Sequence, residues 1–283
     1  MRGILATIVL CAVFATPVSA QEMTGTLLQI KKTGTIKIGY RQDHPPMSFL
    51  GKDGMPAGYS LDVCKLIVAA VEKKIGGKVK IEYVPVTASD RFDALPDNKI
   101  DLLCGSTVKT LSRGEVVDFT LPTFISGTTF MTLKKTNIIN NFSGKKIGII
   151  KGTTMVDSVK ELFKETGVVA EIVMLTTTSE GVKALEEGKI DALAQLQIVL
   201  IGQIMNAANP DAFAILSNTF SNESFALAVR RNDADFRLVA DRVIAQLYRT
   251  KDIVPIYKKW FGDIPGAMPT AFQAMIQLNA YTD

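Results

Sequence analysis

The sequence predicts an α/β protein made of two successive α/β units, and three observations carry that prediction. Thr35-Ile-Lys-Ile-Gly-Tyr40 alternates as a strand does, residues 60–74 place apolar side chains at helical spacing, and Lys78-Val-Lys-Ile-Glu-Tyr-Val-Pro85 alternates again. That is the strand, helix, strand unit of a parallel sheet. The composition then shifts at Lys134-Lys135-Thr136-Asn137 to a polar stretch that reads as a linker. Beyond it the pattern starts afresh, with an apolar strand run from Lys145 to Ile150, a tight loop at Gly152-Thr153-Thr154 and helical spacing over residues 155–163. At 283 residues the chain has the size at which one domain commonly becomes two.

Taken in order, the elements begin with an export segment. Arg2 precedes an apolar run from Ile4 to Ala15, and Val18-Ser19-Ala20 before Gln21 is a small-residue cleavage pattern, so residues 1–20 are expected to be a cleaved signal peptide. Leu10-Cys11-Ala12 lacks the small residue that a lipoprotein signal needs before its cysteine. The formal net charge of +4 falls to +3 once Arg2 leaves, and lysines occur singly or in pairs with no aromatic interleaving. This is a solvated, mildly basic surface and excludes a nucleic-acid partner. Cys11 leaves as well; for the remaining Cys64 and Cys104, a disulfide and two buried thiols both stay open. With a single histidine, His44, and no Cys or His at ligand spacing, neither a metal site nor a cofactor is expected.

Arg41-Gln-Asp-His44-Pro45-Pro46 follows the first strand, and its prolines stop both helix and central strand, which reads His44 as a surface residue. Met47 to Leu50 resumes as a strand, Lys52-Asp53-Gly54 turns, and Gly76-Gly77 ends the first long helix. The polar loop from Val86 to Asp90 is expected to cap a helix carrying Arg91, Phe92 and Leu95. Residues 119–133 are β-rich. In the second unit the pattern predicts strands over 172–175, 213–216 and 223–229 and helices from Thr178 to Leu185, over 198–205 and through 233–257. Trp260 is expected to serve packing. The tail from Ile264 onward is broken by prolines and gives no reading beyond that.

Candidate site residues gather at the strand-to-helix junctions. Asp101-Leu-Leu-Cys-Gly-Ser106-Thr107 breaks from strand to loop, and Thr110 can cap a helix whose first turn holds Arg113. A guanidinium beside free backbone N–H groups and the hydroxyls of Ser106, Thr107 and Thr110 offers several donors to one carboxylate. A capped surface helix with a solvated Arg113 fits the same spacing. Gly152-Thr153-Thr154 makes the same offer in the second unit, with a plain helix cap as its alternative. Arg41 at the end of the first strand and Arg91 add two further cations.

These residues also carry a resemblance. Gly-Ser106-Thr107 followed by Thr110-x-x-Arg113 and Val-Asp118-Phe-Thr-x-Pro122, with Gly39-Tyr-Arg41, Pro45-Pro-x-Ser-Phe49 and Gly58-Tyr-Ser-Leu-Asp62 before them, resembles the periplasmic amino-acid-binding proteins that serve ABC importers. The glutamate/aspartate-binding subgroup is the nearest, and the likeness runs from about Gln29 to Gly262. It implies two α/β lobes joined by two crossing segments around a ligand cleft, with residues 21–130 and 226–283 forming the first, discontinuous lobe and 131–225 the second. It implies that Arg41, Arg91, Ser106, Thr107, Arg113, Thr153, Thr154 and Gln197 bind the ligand, and that the monomeric protein works in the periplasm with membrane ABC permease subunits. Two departures stand out. Ala88 replaces the subgroup's Ser after Thr87, with Ser89 one position further on. The acid that holds the ligand's α-ammonium is missing, since its place falls on Leu196 or Gln197. Three arginines without that acid fit a glutamate-like amino acid or an amine-free dicarboxylate. A secreted lyase like the periplasmic cyclohexadienyl dehydratases, with His44 or Glu223 as acid or base, is the enzyme alternative; a sensory docking protein would share the binding step.

Overall fold

The computed structural model describes residues 23–139, 141–262 and 268–282; the expected signal peptide lies outside the described residues. The chain runs α1 (Gly25–Thr33), β1 (Thr35–Tyr40), β2 (Asp43–His44), β3 (Ser48–Leu50), β4 (Pro56–Ala57), α2 (Tyr59–Ile75), β5 (Lys80–Pro85), β6 (Leu102–Cys104) and β7 (Val117–Leu133). It continues through β8 (Lys146–Ile150), α3 (Met155–Thr166), β9 (Glu171–Leu175), α4 (Thr178–Glu186), β10 (Ala192–Leu196), α5 (Gln197–Asn206), β11 (Phe213–Ile215) and β12 (Ser221–Arg230). α6 (Ala234–Arg249), α7 (Ile253–Phe261) and α8 (Thr270–Leu278) close it.

The sheet order β5-β1-β6-β12-β7-β10-β8-β9, with β11 on β7, explains how two units become one molecule. β1 pairs in parallel with β5 and β6 in the first lobe, and β8 with β9 and β10 in the second, as crossover helices require. The 17-residue β7 belongs to both lobes: residues 117–128 lie antiparallel to β12, and residues 128–133 pair with β10 and β11. β7 and β12 are therefore the two crossing segments, and the ladder between them slips at Phe225, Ala226 and Ala228. The 134–137 stretch that read as a linker is instead a 3-10 turn after β7 has already crossed; the crossing passes through Ser126-Gly127, which the ladder to β12 holds in the strand.

Each lobe has its own buried cluster beneath the sheet, Leu95, Ile100, Leu103 and Phe119 in the first and Met131, Ile150, Leu185 and Leu193 in the second. Buried Asp101 accepts from Lys37 N (2.8 Å) and pairs with Arg230 (2.6 Å), fixing the start of β6 between β1 and the end of β12. Cys64 on α2 and Cys104 at the end of β6 are joined in a disulfide, their Cα atoms 6.5 Å apart. At the crossing, Phe124 stands between Tyr59, Phe225, Phe261 and Phe272 at ring distances of 5.0 to 5.8 Å. Phe272 belongs to α8, so the part of the unread tail that is described packs on the crossing strand.

Two expected helices are shorter than the pattern predicts. Residues 88–98 form a run of turns, and only a 3-10 turn (Arg113–Glu115) follows Thr110. Ser112, not Thr110, stands in the capping position of that turn, while Thr110 Oγ1 accepts from Arg113 N at 3.2 Å from two residues further back. In the first case Pro96, which has no N–H to donate, interrupts the coil and the left-handed Asn98 ends it.

Candidate functional site

One cavity lies between the lobes. Its lining comprises Arg41, His44, Arg91, Ser106, Thr107, Val108 and Arg113 from the first lobe and Thr153, Thr154, Met155, Gln195 and Leu196 from the second. Seven of the eight residues singled out from the sequence meet there. Gln197 does not: it begins α5, one position past the lining, while Gln195 and Leu196 at the end of β10 face the space. Gln195 was missed because β10 is buried on both faces, which erases the alternation that would tell inward from outward side chains. Ser89 is exposed and off the lining.

The strand ends set the geometry. β1 ends at Tyr40 and β6 at Cys104, neighbours in the sheet, so Arg41 and the 105–107 loop project at the same edge. Across the cleft β8 ends at Ile150, and the 151–154 loop leads to the N-terminus of α3, whose free N–H groups and dipole favour an anion. Gly152 is one of the places where the lobes touch. Its φ is +77°, and a Cβ there would stand 2.8 Å from Ala88 O. Its carbonyl accepts from Arg91 Nη2 at 3.1 Å and Arg113 Nη2 at 3.4 Å. Arg91 also donates to Ala88 O, and Arg113 Nη1 to Val108 O at 2.7 Å. Both guanidiniums lie against the Phe92 ring, 4.4 and 5.1 Å from its centroid.

The electrostatics are one-sided. Arg41 and Arg91 are 5% and 4% exposed, and Arg113 is half-buried. Burial pushes the Arg91 pKa well below its ordinary value, and the neighbouring Arg113 and Arg41 push it further. Burial lowers Arg41, with Asp43 opposing, and burial lowers Arg113, with Glu223 opposing. Among the described residues only Arg41 of the three has a carboxylate in contact, Asp43 Oδ1 at 3.1 Å, and the lining holds no Asp or Glu. A site that crowds buried guanidiniums in this way is completed by an anion. Thr154 Oγ1 is buried without a hydrogen-bond partner among the described residues, a hydroxyl left for a ligand. Thr153 Oγ1 is already spent on Ile150 O at 2.6 Å. The space left between these side chains is only about 20 Å³, room for about one water, so a ligand enters when the lobes part or the arginines leave Gly152 O.

His44 corrects the sequence reading: it is buried, 3% exposed, and lines the cavity. β2 and β3 form a hairpin that turns the Arg41–Pro46 segment into the cleft, where Gly202 of α5 lies so close to Pro45 O that a side chain would collide. Nδ1 stands 2.7 Å from Ser106 Oγ and Nε2 3.1 Å from Thr178 Oγ1. Burial and Arg41 push its pKa down to about 3 against the opposing Asp43, with Arg91 adding to the depression. Glu223 accepts from Ser221 Oγ and Glu180 from Thr176 N, and neither lines the cavity. Trp260 donates to Asp62 and packs on Phe49, as a packing residue does.

A larger, apolar cavity of about 360 Å³ between Phe130, Phe142, Phe163 and Phe220 carries no charged group and is a separate feature. Among the described residues no group of three or more His, Cys, Asp or Glu is placed to hold a metal, and no helix is long and apolar enough to cross a membrane.

Residues 36–263 match the bacterial extracellular solute-binding proteins, family 3. The chain is 33% identical over 263 residues to the L-glutamate/L-aspartate-binding protein of Pseudomonas aeruginosa, covering 92% of this chain and 87% of that one. It is 30% identical over 240 residues to the glutamate/aspartate import solute-binding protein of Salmonella typhimurium, covering 83% and 79%. Among solved structures it resembles an ancestral amino-acid-binding protein that is a precursor of cyclohexadienyl dehydratase, with a TM-score of 0.72 at 26% identity over 84% of this chain and 100% of that one. A match that runs from the first strand to the end of α7, on a fold of two α/β lobes, decides the family: the chain belongs to the bacterial extracellular solute-binding proteins, family 3.

Proposed function

We propose that this protein is a periplasmic receptor that captures a glutamate- or aspartate-like amino acid and hands it to a membrane ABC permease. The observation that carries this reading is the convergence of Arg41, Arg91 and Arg113 on a cavity whose lining holds no carboxylate, a field that selects an anion with more than one carboxylate. Arg113, Ser106 and Thr107 face Thr153, Thr154 and the start of α3, so an anion between them touches both lobes. Its differential affinity for the closed state then drives closure. In this reading the lobes comprise 21–130 with 226–283 and 131–225, the paired residues 125–128 and 221–224 flex, and the closed surface is what the permease reads. The names of the two relatives support the ligand class.

One observation favours a second ligand reading. Leu196, where an acid for the α-ammonium would stand, lines the cavity as an apolar residue. An amine-free dicarboxylate would need no counter-charge there. A lyase is disfavoured by His44, whose two ring nitrogens are both engaged by hydroxyls, leaving no free acid or base in the lining. The test is a thermal-shift screen followed by calorimetry with L-glutamate, L-aspartate, L-glutamine, glutarate, succinate and 2-oxoglutarate. Stabilisation by the acidic amino acids above their amine-free counterparts supports the first reading, and the reverse order the second. Silence of all six at millimolar concentration, with the protein folded, overturns both.

A further inference from the structure

We propose that His44 is a positioning residue that fixes the Ser106 hydroxyl as a hydrogen-bond donor into the cavity, through a relay that spans both lobes. The argument starts at the far end, where the direction of each bond is forced. Leu196 N donates to Gln195 Oε1 at 2.9 Å, which sets that amide so that Nε2 faces Thr178 Oγ1 at 3.1 Å and donates to it. The Thr178 hydroxyl has a second polar neighbour among the described residues, His44 Nε2, and must send its own proton there. His44 Nε2 is then the acceptor and Nδ1 carries the hydrogen, which it donates to Ser106 Oγ at 2.7 Å. Ser106, having accepted from the ring, keeps its hydroxyl proton for the cavity.

The reverse direction is costly. With Nε2 protonated, Thr178 would accept twice, and its own proton, on a side chain with no exposure, would lose its partner. The imidazolium is opposed by the groups that face the ring. Arg41 and Arg91 are cations, and Asp43 Oδ1, 3.8 Å from Nε2, is beyond hydrogen-bond reach and already on Arg41 Nη2. Thr178 is held in turn by Asp43 Oδ2, which accepts from its backbone N at 2.6 Å. Ser106 and His44 sit on the first lobe and Thr178 and Gln195 on the second, so the relay joins the two lobes in the structure as it stands. A Ser106 locked as donor donates well to a carboxylate oxygen and suits an ammonium or amide N–H poorly, which makes the relay a specificity device for the proposed ligand.

This inference rests on the proposed function for its ligand but not for its tautomer, and the test separates the two. His44 is the chain's only histidine, so nitrogen-15 labelling of histidine gives a single ring to observe. Spectra are recorded on the mature chain alone and with L-glutamate, L-aspartate, succinate or 2-oxoglutarate. The expected result is an Nδ1–H tautomer that does not titrate between pH 5.5 and 8. An Nε2–H tautomer, or titration near the ordinary histidine value, in the free protein and in every complex that raises the melting temperature would overturn the relay. If none of these acids binds, the free protein decides. Thr178→Val should blur the tautomer and weaken binding of whichever acid binds by about tenfold, with Thr178→Ser restoring both. A Thr178→Val protein that keeps pure Nδ1–H also overturns the assignment.

Discussion

Lowering the pH from 7 to 5 should cost this protein stability through one side chain. In the unfolded chain His44 takes up a proton near pH 6.5. In the fold its pKa is pushed down to about 3, by burial first and by Arg41 and Arg91 against Asp43. Between those values the unfolded state binds a proton that the native state refuses, so stability falls as pH falls, by about 1.4 kcal/mol per pH unit. From pH 6.5 to 5 the loss is about 2 kcal/mol, or roughly 4–8 °C in melting temperature for a chain of this size. Asp43, whose folded pKa is lowered, contributes stability that is lost only as pH falls below the ordinary carboxylate range, beneath this window. Urea unfolding at pH 7, 6 and 5 gives the slope directly, and His44→Asn should flatten it whatever its own baseline stability. Parallel slopes for the wild type and His44→Asn would refute the buried, neutral imidazole.

Three other perturbations address the arginines, the lobe contact and the disulfide. Arg113→Lys keeps the charge but loses the planar fork and should weaken acidic-ligand binding by well over tenfold in calorimetry, while Arg91→Met should do so by about a hundredfold and move the free protein's melting temperature by only a few degrees. In the latter, relief of the crowded, buried charge offsets the lost bonds to Ala88 O and Gly152 O. Gly152→Ala strains a φ of +77° and drives a Cβ toward Ala88 O, so ligand affinity and the compaction seen by small-angle scattering on ligand addition should both fall. Replacing Cys64 and Cys104 by serine opens a loop of 40 residues and should cost about 4 kcal/mol in denaturant unfolding by the chain-entropy relation.

The fold was legible because its signals are local and periodic. The α2 stripe, the alternation of β1 and β5, the fresh start at β8 and the glycines that end α2 and α4 each read correctly from a short window. What could not be read depends on distance along the chain. The crossing of β7 runs through Ser126-Gly127 without leaving the ladder, because Glu223 and Asn222 of distant β12 pair with them, so the sequence points to 134–137 instead. The α8 tail packs through Phe272 onto Phe124, a contact between residues that no window contains together. In the site, Arg41, Ser106, Thr107, Thr153 and Thr154 sit just past strand ends and Arg113 in a 3-10 turn, where patterning and resemblance both point. His44 was misread because two following prolines describe local backbone and say nothing of the β2–β3 hairpin and the α4 and α5 surfaces that enclose it.

The choice between an amino acid and an amine-free acid turns on Leu196. It is 2% exposed, lines the cavity, and stands as the residue just before α5, a position where Asp is a favoured cap. An α-ammonium in the cavity as it stands meets hydroxyls and the Gln195 Oε1 already taken by Leu196 N, all neutral, while three guanidiniums repel it. Leu196→Asp places a carboxylate at the cavity edge nearest β10, opposite Arg113 and Ser106. A charge-assisted bond to an enclosed ammonium contributes roughly 1.5–3 kcal/mol, or about ten- to a hundredfold in affinity. L-Glutamate and glutarate share both carboxylates and differ in the amine alone, so their affinity ratio isolates the effect from any general change in the site. Leu196→Asp should raise the glutamate-to-glutarate ratio at least tenfold in calorimetry. If the new carboxylate instead pairs with the arginines, both acids lose affinity together and the ratio stays where it was, a result that would remove Leu196 from the ammonium's surroundings.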